Sequence, residues 1–576
     1  MLEHQLEQYY ERQKKIQLNS TIWNVLANDQ NNRMPPQAQR TRSDQLSHVS
    51  SIMKSLSTNR EYVSLVQSLY SQISFLSPRD ARSVQLAQRG NNFTQKFTHE
   101  FNKSFAKAKS NSLEARKVAK KNNDRWYFVP YLKESIRLAK EYAYIFDSTA
   151  DPYDVWLDGG HTWMTMQQYE KVFKPILDTS KYILQHTSTL PKKEYLLITK
   201  YDTNKLYDLI MELLKDIWYD LTQGTFNIIK WPYSENCWPG DERIHIWKDK
   251  PLLESILAAL HECGHGLMDM FINPDYHRTN LHRTSSMGIH ESQSRTLENF
   301  IGRSKPFCVY LDTLLDKYFP EFGPWNPEDI YQYLNHVSSD IIRTHADELT
   351  YNIHIYIRFT IEQEIFDGRT SLEQVPERRN QLYYEHLGVS PTSDVEWCLQ
   401  DQHWALWLFG YFPAYTIGNM VAAQLRESFR FSNPARGEAL MEWDFSQYFS
   451  WYQNAIRWHG NMYHPNTLIQ NITMSDINPD ALVKYLNEKY LAIPWSKNPE
   501  LGMSQEWALN ESLIQERMII KTKKSQMVWE YKKTFDDLYA DTQWTMSYVP
   551  NEVQMDSQKT ISNVSQQENQ WSQRLL

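Results

Sequence analysis

Long amphipathic runs, with few residues to interrupt them, constrain this chain more than any other feature. From Asp340 to Phe366, the residues Ile342, Ala346, Leu349, Ile353 and Tyr356 recur at helical spacing, and Leu206 to Tyr219 reads the same way. Among 576 residues glycine is scarce, at 17, and the 24 prolines are spread thinly. No βαβ alternation and no G-x-G-x-x-G phosphate loop is present, which argues against a nucleotide enzyme. The expected fold is all-α: mostly helical, with room for a small β element near the functional site. A single elongated domain holding a deep central groove is the simplest architecture.

One helix carries chemistry. Lys250 to Leu260 leads with apolar residues at helical spacing into His261-Glu262-Cys263-Gly264-His265, an H-E-x-x-H motif. Leu253, Ile256, Leu257 and Leu260 form a stripe that Leu267, Met268 and Phe271 extend. Asp249 before Pro251 is a start signal and Asn273-Pro274 a stop signal. Positions i and i+4 share a helix face, so His261 and His265 can converge on one metal ion. Glu262 then projects where it can take a proton from a metal-bound water. The bland alternative is a pair of hydrogen-bonded core histidines, and Cys263 reads as a small buried residue pointing away from the histidine face.

Catalytic zinc commonly takes three protein ligands and leaves a fourth position for water or substrate. Downstream, Ser286 to Arg295 runs into Thr296-Leu297-Glu298-Asn299-Phe300-Ile301, whose apolar residues suggest a second helix with Glu291 in its first turns. A connecting loop of roughly twenty residues lets Glu291 reach His261 and His265, giving a 2-His-1-Glu set. His290 points a different way and is the weaker ligand candidate. Cobalt or manganese could substitute for zinc.

With these residues in place, the chain resembles the carboxypeptidase Taq family of zinc metallocarboxypeptidases. The resemblance rests on His261 to His265 followed by Glu291 within His-Glu-Ser-Gln. Ile342-Arg343-Thr344-His345-Ala346-Asp347 matches I-R-x-x-A-D, and Gln400-Asp401-Gln402-His403-Trp404 matches Q-D-x-H-W. Met34-Pro35-Pro36 near the start and Tyr485 to Tyr490 near the end are also similar to family segments, so the likeness spans roughly residues 20 to 495. Three departures occur near the site. Trp231-Pro232-Tyr233 stands for H-P-F; Asp241-Glu242-Arg243-Ile244-His245 keeps the acid and base of D-x-R-x-T but not its threonine; Trp397 replaces a glycine. These bear on substrate preference and turnover and leave the metal ligands untouched.

The resemblance implies a largely helical metallopeptidase that removes single residues from peptide C-termini, and a homodimer. Glu262 is the expected general base, passing a proton from the zinc water to the departing amine. A free α-carboxylate calls for a guanidinium able to bind both oxygens; Arg343 is the first candidate and Arg243 the second. The alternative for Arg343 is an i,i+4 helix salt bridge with Asp347. Asp347 could instead orient a ligand histidine through its other ring nitrogen. His403 and Tyr415 are candidates to hydrogen-bond the carboxylate or the developing oxyanion, against an aromatic-core reading shared with Trp404, Trp407, Phe409 and Tyr411.

Two rival functions remain: a related helical zinc peptidase that cuts internally or removes dipeptides, and a scaffold that has kept the fold and the metal. Retention of Glu262 argues against the scaffold, which needs no base. The four cysteines, Cys237, Cys263, Cys308 and Cys398, contain no C-x-x-C pair and fit a reducing compartment. No apolar leader or membrane span is read, so a cytoplasmic location is expected. The net charge of -8 opposes nucleic-acid binding, and the basic cluster Arg116 to Lys121 reads as a solvated helix face. Domains are expected at 1–495, the peptidase, and 496–576, an extension. Within the extension, Met518 to Tyr539 reads as a helix and the Ser/Gln-rich Asp556 to Leu576 as disordered or partner-dependent, a docking element for an unknown partner.

Overall fold

The computed structural model of the chain describes residues 2–491 apart from 163, 187–192, 230–232, 248, 397–398 and 434–444. Trp231, Pro232, Trp397, Cys398 and the whole extension 496–576 lie outside the described residues. The chain divides at Lys489–Tyr490 into two units, and the described residues belong almost wholly to the first. Helices dominate, from Leu2–Asn32 to Asp480–Leu491, with one three-stranded sheet. No helix among the described residues is long and apolar enough to cross a membrane.

Periodicity places the helices well where no side chain competes for the backbone. Asp202 caps Thr203–Asp216 by accepting from the Asn204 amide at 2.8 Å, and Leu206, Leu209, Ile210, Leu213 and Leu214 are buried. That helix stops before Tyr219, because Trp218 turns into the left-handed region at φ 65°. The run from Asp340 departs further from expectation: the helix begins only at Tyr351 and ends at Asp367. Asp340 accepts from the Ile342 amide at 2.6 Å, and Asp347 Oδ1 accepts from the amides of Leu349 and Thr350, each at 2.9 Å. Such local side-chain bonds offer the backbone an alternative to the helix. Residues 343–345 form a 3₁₀ turn instead.

Strands β1 (Gly224–Ile229), β2 (Tyr233–Trp238) and β3 (Asp241–Trp247) form a sheet in the order β1-β3-β2. β3 pairs parallel with β1 and antiparallel with β2, whose pairing shifts between Asn236 and Trp238. The first helix reaches β2 through Asn24, which donates to the Asn236 carbonyl at 2.9 Å. The H-E-x-x-H helix spans Leu252–Met270, starting after Pro251 without a side-chain cap. Asn273 caps the short turn Pro274–Tyr276 that follows it.

Two small residues let that helix pack on both neighbours. A methyl group on Gly266 would lie 2.9 Å from the Tyr219 ring and 3.2 Å from Ile244 of β3. One on Gly264 would lie 2.4 Å from the Gln293 carbonyl oxygen and 2.5 Å from Ser294 Cα, backbone atoms that cannot swing aside. Gly264→Ala is therefore expected to destabilise the fold by about 1–3 kcal/mol, the usual cost of overpacking. A thermal melt unchanged from wild type would contradict this packing.

Candidate metal centre and substrate groove

The H-E-x-x-H helix presents His261 and His265 toward the helix Met287–Arg295, which Ser286 caps by accepting from the Ile289 amide at 3.1 Å. Glu291 lies in the second turn of that helix and is buried. Its Oε2 is 3.5 Å from His265 Nε2 and 4.0 Å from His261 Nε2. One donor atom from each of the three residues lies within 4.8 Å of the others. Two imidazole nitrogens and a carboxylate oxygen at that separation suit a divalent cation with an open position.

Neighbouring groups hold these donors in orientation. Glu298 Oε2 accepts from His261 Nδ1 at 2.8 Å, which leaves the Nε2 lone pair facing Glu291. Arg295 Nε donates to Glu291 Oε1 at 2.6 Å, so the other oxygen is turned to the imidazoles. Arg295 Nη1 also donates to Glu298 at 3.2 Å. Burial opposes ionisation of both carboxyls, yet Arg295 and the histidines hold them well below the usual carboxylate range. His290 stacks on His265, with ring centroids 4.5 Å apart, and bonds Asp269 at 3.0 Å, consistent with its weaker standing as a ligand.

Glu262 lies beside this cluster. Burial, together with Glu291, pushes its carboxyl up to about 7, with His261 pulling the other way. Cys263 is fully buried, and burial pushes its thiol up, so it stays neutral.

A second constellation is built from distant segments. Arg343 Nε donates to Asp401 Oδ1 at 2.9 Å and its Nη1 to the Tyr351 hydroxyl at 2.9 Å. Its guanidinium sits over the Tyr415 ring at 5.1 Å. Arg358 Nε holds the other Asp401 oxygen at 2.7 Å, and its Nη2 donates to Gln400 Oε1 at 2.6 Å. His403 Nε2 and the Tyr415 hydroxyl are 3.2 Å apart. Burial, with Arg343 and Arg358 nearby, brings His403 down to about 3, so its ring stays neutral. Tyr351 also carries Arg295 over its ring at 4.2 Å, linking this group to the metal-ligand helix.

The structure places three of the residues singled out in the sequence in their own bonds. Arg343 pairs with Asp401 and not with Asp347, because no helix joins positions 343 and 347. Asp347 does not orient a ligand histidine; its oxygens accept from Ser338, Leu349 and Thr350, and Glu298 does the orienting. Arg243 is held by Asp241 through two bonds of 2.7 Å and by Asn28 at 3.3 Å, so the sheet and first helix engage it. Within the basic cluster, Arg116 is buried and donates to the carbonyls of Leu399, Gln400 and Asp401 at 2.7–2.9 Å, bracing the segment that carries Asp401. Residue-by-residue reading missed Glu298, Arg295 and Glu362. The first two fall at i+7 and i+4 from Glu291 on its helix, a spacing that could have found them.

Glu362 anchors the turn after His403. It accepts from the Trp404 indole at 2.7 Å, the Tyr153 hydroxyl at 2.8 Å and the Gly410 amide at 3.0 Å. That turn contains Trp407 at φ 62° and Gly410 at φ 68°. Burial pushes the Glu362 carboxyl from 4.5 up to about 7. The folded chain therefore keeps a proton that the unfolded chain releases. The associated stability is full below the unfolded value and is lost as pH rises through the folded one. Relative to Glu362→Gln, wild type should lose roughly 3 kcal/mol between the unfolded and folded values. Denaturant titrations of both proteins across that window would refute this if the difference stayed flat.

A mostly helical unit with a 2-His-1-Glu cluster and a carboxyl-bearing H-E-x-x-H helix defines a metallopeptidase. The model of the carboxypeptidase Taq (M32) metallopeptidase family matches residues 8–490, and the chain belongs to that family. It is 30% identical over 488 residues to carboxypeptidase 1 of Bacillus subtilis, covering 84% of this chain and 97% of that protein. Thermostable carboxypeptidase 1 of Pyrococcus furiosus is 30% identical over 476 residues, 81% of this chain and 94% of that one. Among solved structures, the M32 carboxypeptidase of Deinococcus radiodurans superposes with a TM-score of 0.81 at 28% identity, over 85% of this chain and 99% of its own. The Pyrococcus furiosus carboxypeptidase does so with a TM-score of 0.82 at 29% identity, over 84% and 99%.

Proposed function

We propose that this metallocarboxypeptidase uses zinc, held by His261, His265 and Glu291, to release single residues from peptide C-termini. The observation that carries the reading is the convergence of both Nε2 atoms on Glu291 Oε2 beside Glu262. Bound there, zinc would supply Lewis-acid polarisation of the scissile carbonyl and charge stabilisation as the tetrahedral centre forms. Glu262 takes the proton from the attacking water and returns it to the departing amine; a carboxyl near 7 is suited to both acts. Glu298 and Arg295 keep the ligands aimed while this happens.

Arg343 is the partner for the substrate α-carboxylate. Asp401 and Tyr351 occupy its Nε and Nη1, and Nη2 makes no hydrogen bond among the described residues. Neutral His403 and the Tyr415 hydroxyl border the same space and can each contribute a hydrogen bond. Arg343→Met is expected to raise KM on the order of 100-fold, since losing a charge-assisted pair costs about 2–5 kcal/mol, with a smaller change in kcat. An unchanged KM would remove Arg343 from substrate binding.

The deciding experiment digests a defined peptide and its C-terminally amidated twin, with and without chelator, and reads the products by mass. Single-residue losses from the free-acid peptide only, abolished by chelator and restored by zinc, support the proposal. Internal cuts or dipeptide losses would replace it with the endopeptidase or dipeptidyl reading. A cytoplasmic homodimer is part of the same proposal, supported by family membership, and size-exclusion chromatography with light scattering tests the dimer. The extension 496–576 is proposed as the docking element for a further partner.

A further inference from the structure

Beside Cys263, behind the metal-ligand helices, lies a buried charge that the reaction does not use. Arg457, in the turn Arg457–His459, is fully buried. Its Nε donates to Gln293 Oε1 at 3.2 Å, while Nη1 and Nη2 have no hydrogen-bond partner among the described residues. The Phe449 and Tyr452 rings lie 5.6 and 5.8 Å from its guanidinium carbon. No carboxylate among the described residues pairs with it. The titratable groups acting on it are Tyr448, Cys263 and Tyr452, none of them a carboxylate.

A guanidinium sealed from water without a counter-charge is strongly unfavourable; the buried Arg295, Arg343 and Arg358 each face a carboxylate, and the buried Arg116 donates to three backbone carbonyls. Nη1 and Nη2 therefore offer N–H groups and a positive charge that nothing among the described residues balances. The enclosure is aromatic, and desolvation penalises charge steeply, so a weakly hydrated monovalent ion fits better than sulfate or phosphate.

We propose that Arg457 binds a small monovalent inorganic anion of the halide class through Nη1 and Nη2. The third nitrogen holds Gln293, two residues from Glu291 on the same helix, so anion occupancy is coupled to the helix that carries the carboxylate ligand. The inference is independent of which metal or peptide the enzyme takes.

The test uses the full chain. Thermal unfolding is followed at constant ionic strength while sodium gluconate is exchanged for sodium chloride, bromide or fluoride. The expected result is a saturable rise in Tm with chloride and bromide, absent in Arg457→Gln. Because that variant removes a buried group and could fail to fold, crystals of the wild-type protein grown in bromide provide a second reading, an anomalous peak within contact of Nη1 or Nη2. No halide-specific rise in Tm overturns the proposal. So does an anomalous map with bromide only elsewhere, or with a carboxylate of the chain seated on the guanidinium.

Discussion

Glu262→Gln is expected to lower kcat by about 10²–10⁴-fold while the folded protein keeps its full metal content, because an amide keeps the shape of the carboxyl but cannot accept the proton of the attacking water. Burial pushes the Glu262 carboxyl up to about 7, and the His261 and His265 imidazoles lie to either side of it in the sequence of one helix. The variant leaves the Glu298–His261 and Arg295–Glu291 bonds intact, so the ligand geometry should survive. The check combines peptide turnover with elemental analysis of the same preparation. Undiminished turnover with metal present would show that another group acts as the base. Lost turnover together with lost metal would show that Glu262 is needed to build the site.

Glu291→Ala should have a comparably large effect for a different reason. It removes the carboxylate on which both imidazoles converge and would leave two of the three proposed ligands, too few for a catalytic zinc site. It also takes from Arg295 the acceptor at 2.6 Å, leaving that buried guanidinium with Glu298 alone. Removing one partner of a buried ion pair costs about 3 kcal/mol or more, so the melt should fall along with metal content and activity. Glu291→Gln separates the two effects: its carbonyl oxygen can still accept from Arg295, so stability should recover while metal binding remains weakened. If Glu291→Ala retained stoichiometric metal, the third ligand would have to be sought elsewhere.

The parts of this protein that were legible in its sequence are those written at short range. The H-E-x-x-H helix needs only a 3.6-residue period to bring His261 and His265 to one face, and the structure builds it as Leu252–Met270. Glu291 followed from the need for a third donor on a neighbouring helix. Glu298 and Arg295, at i+7 and i+4 from Glu291, belong to no motif read in the sequence, and only the structure shows them holding the donors. The predominance of helix followed from apolar periodicity with few interrupting residues, and the small sheet lies against the motif helix through Ile244.

The group around Arg343 was legible as a set of motifs but not as an arrangement. Helical periodicity put Arg343 and Asp347 one turn apart on a common helix, and the structure separates them. Asp340 and Asp347 spend their oxygens on nearby amides, so the backbone there forms turns. That frees Arg343 to meet Asp401, which Arg358 and the carbonyl-bound Arg116 hold in place. Arg116 itself read as a solvated base, since nothing local reveals that the 399–401 segment packs over it.

Local spacing along helices thus determined, from the sequence alone, the helical fold class and the placing of His261, Glu262 and His265 on one helix. Only the tertiary structure decided that Arg343 meets Asp401, that Asp340 and Asp347 bond nearby amides, and that Arg457 has no carboxylate partner among the described residues. The physical reason is range: helix geometry is set by residues three or four positions apart, whereas an ion pair between Arg343 and Asp401 depends on how distant segments pack.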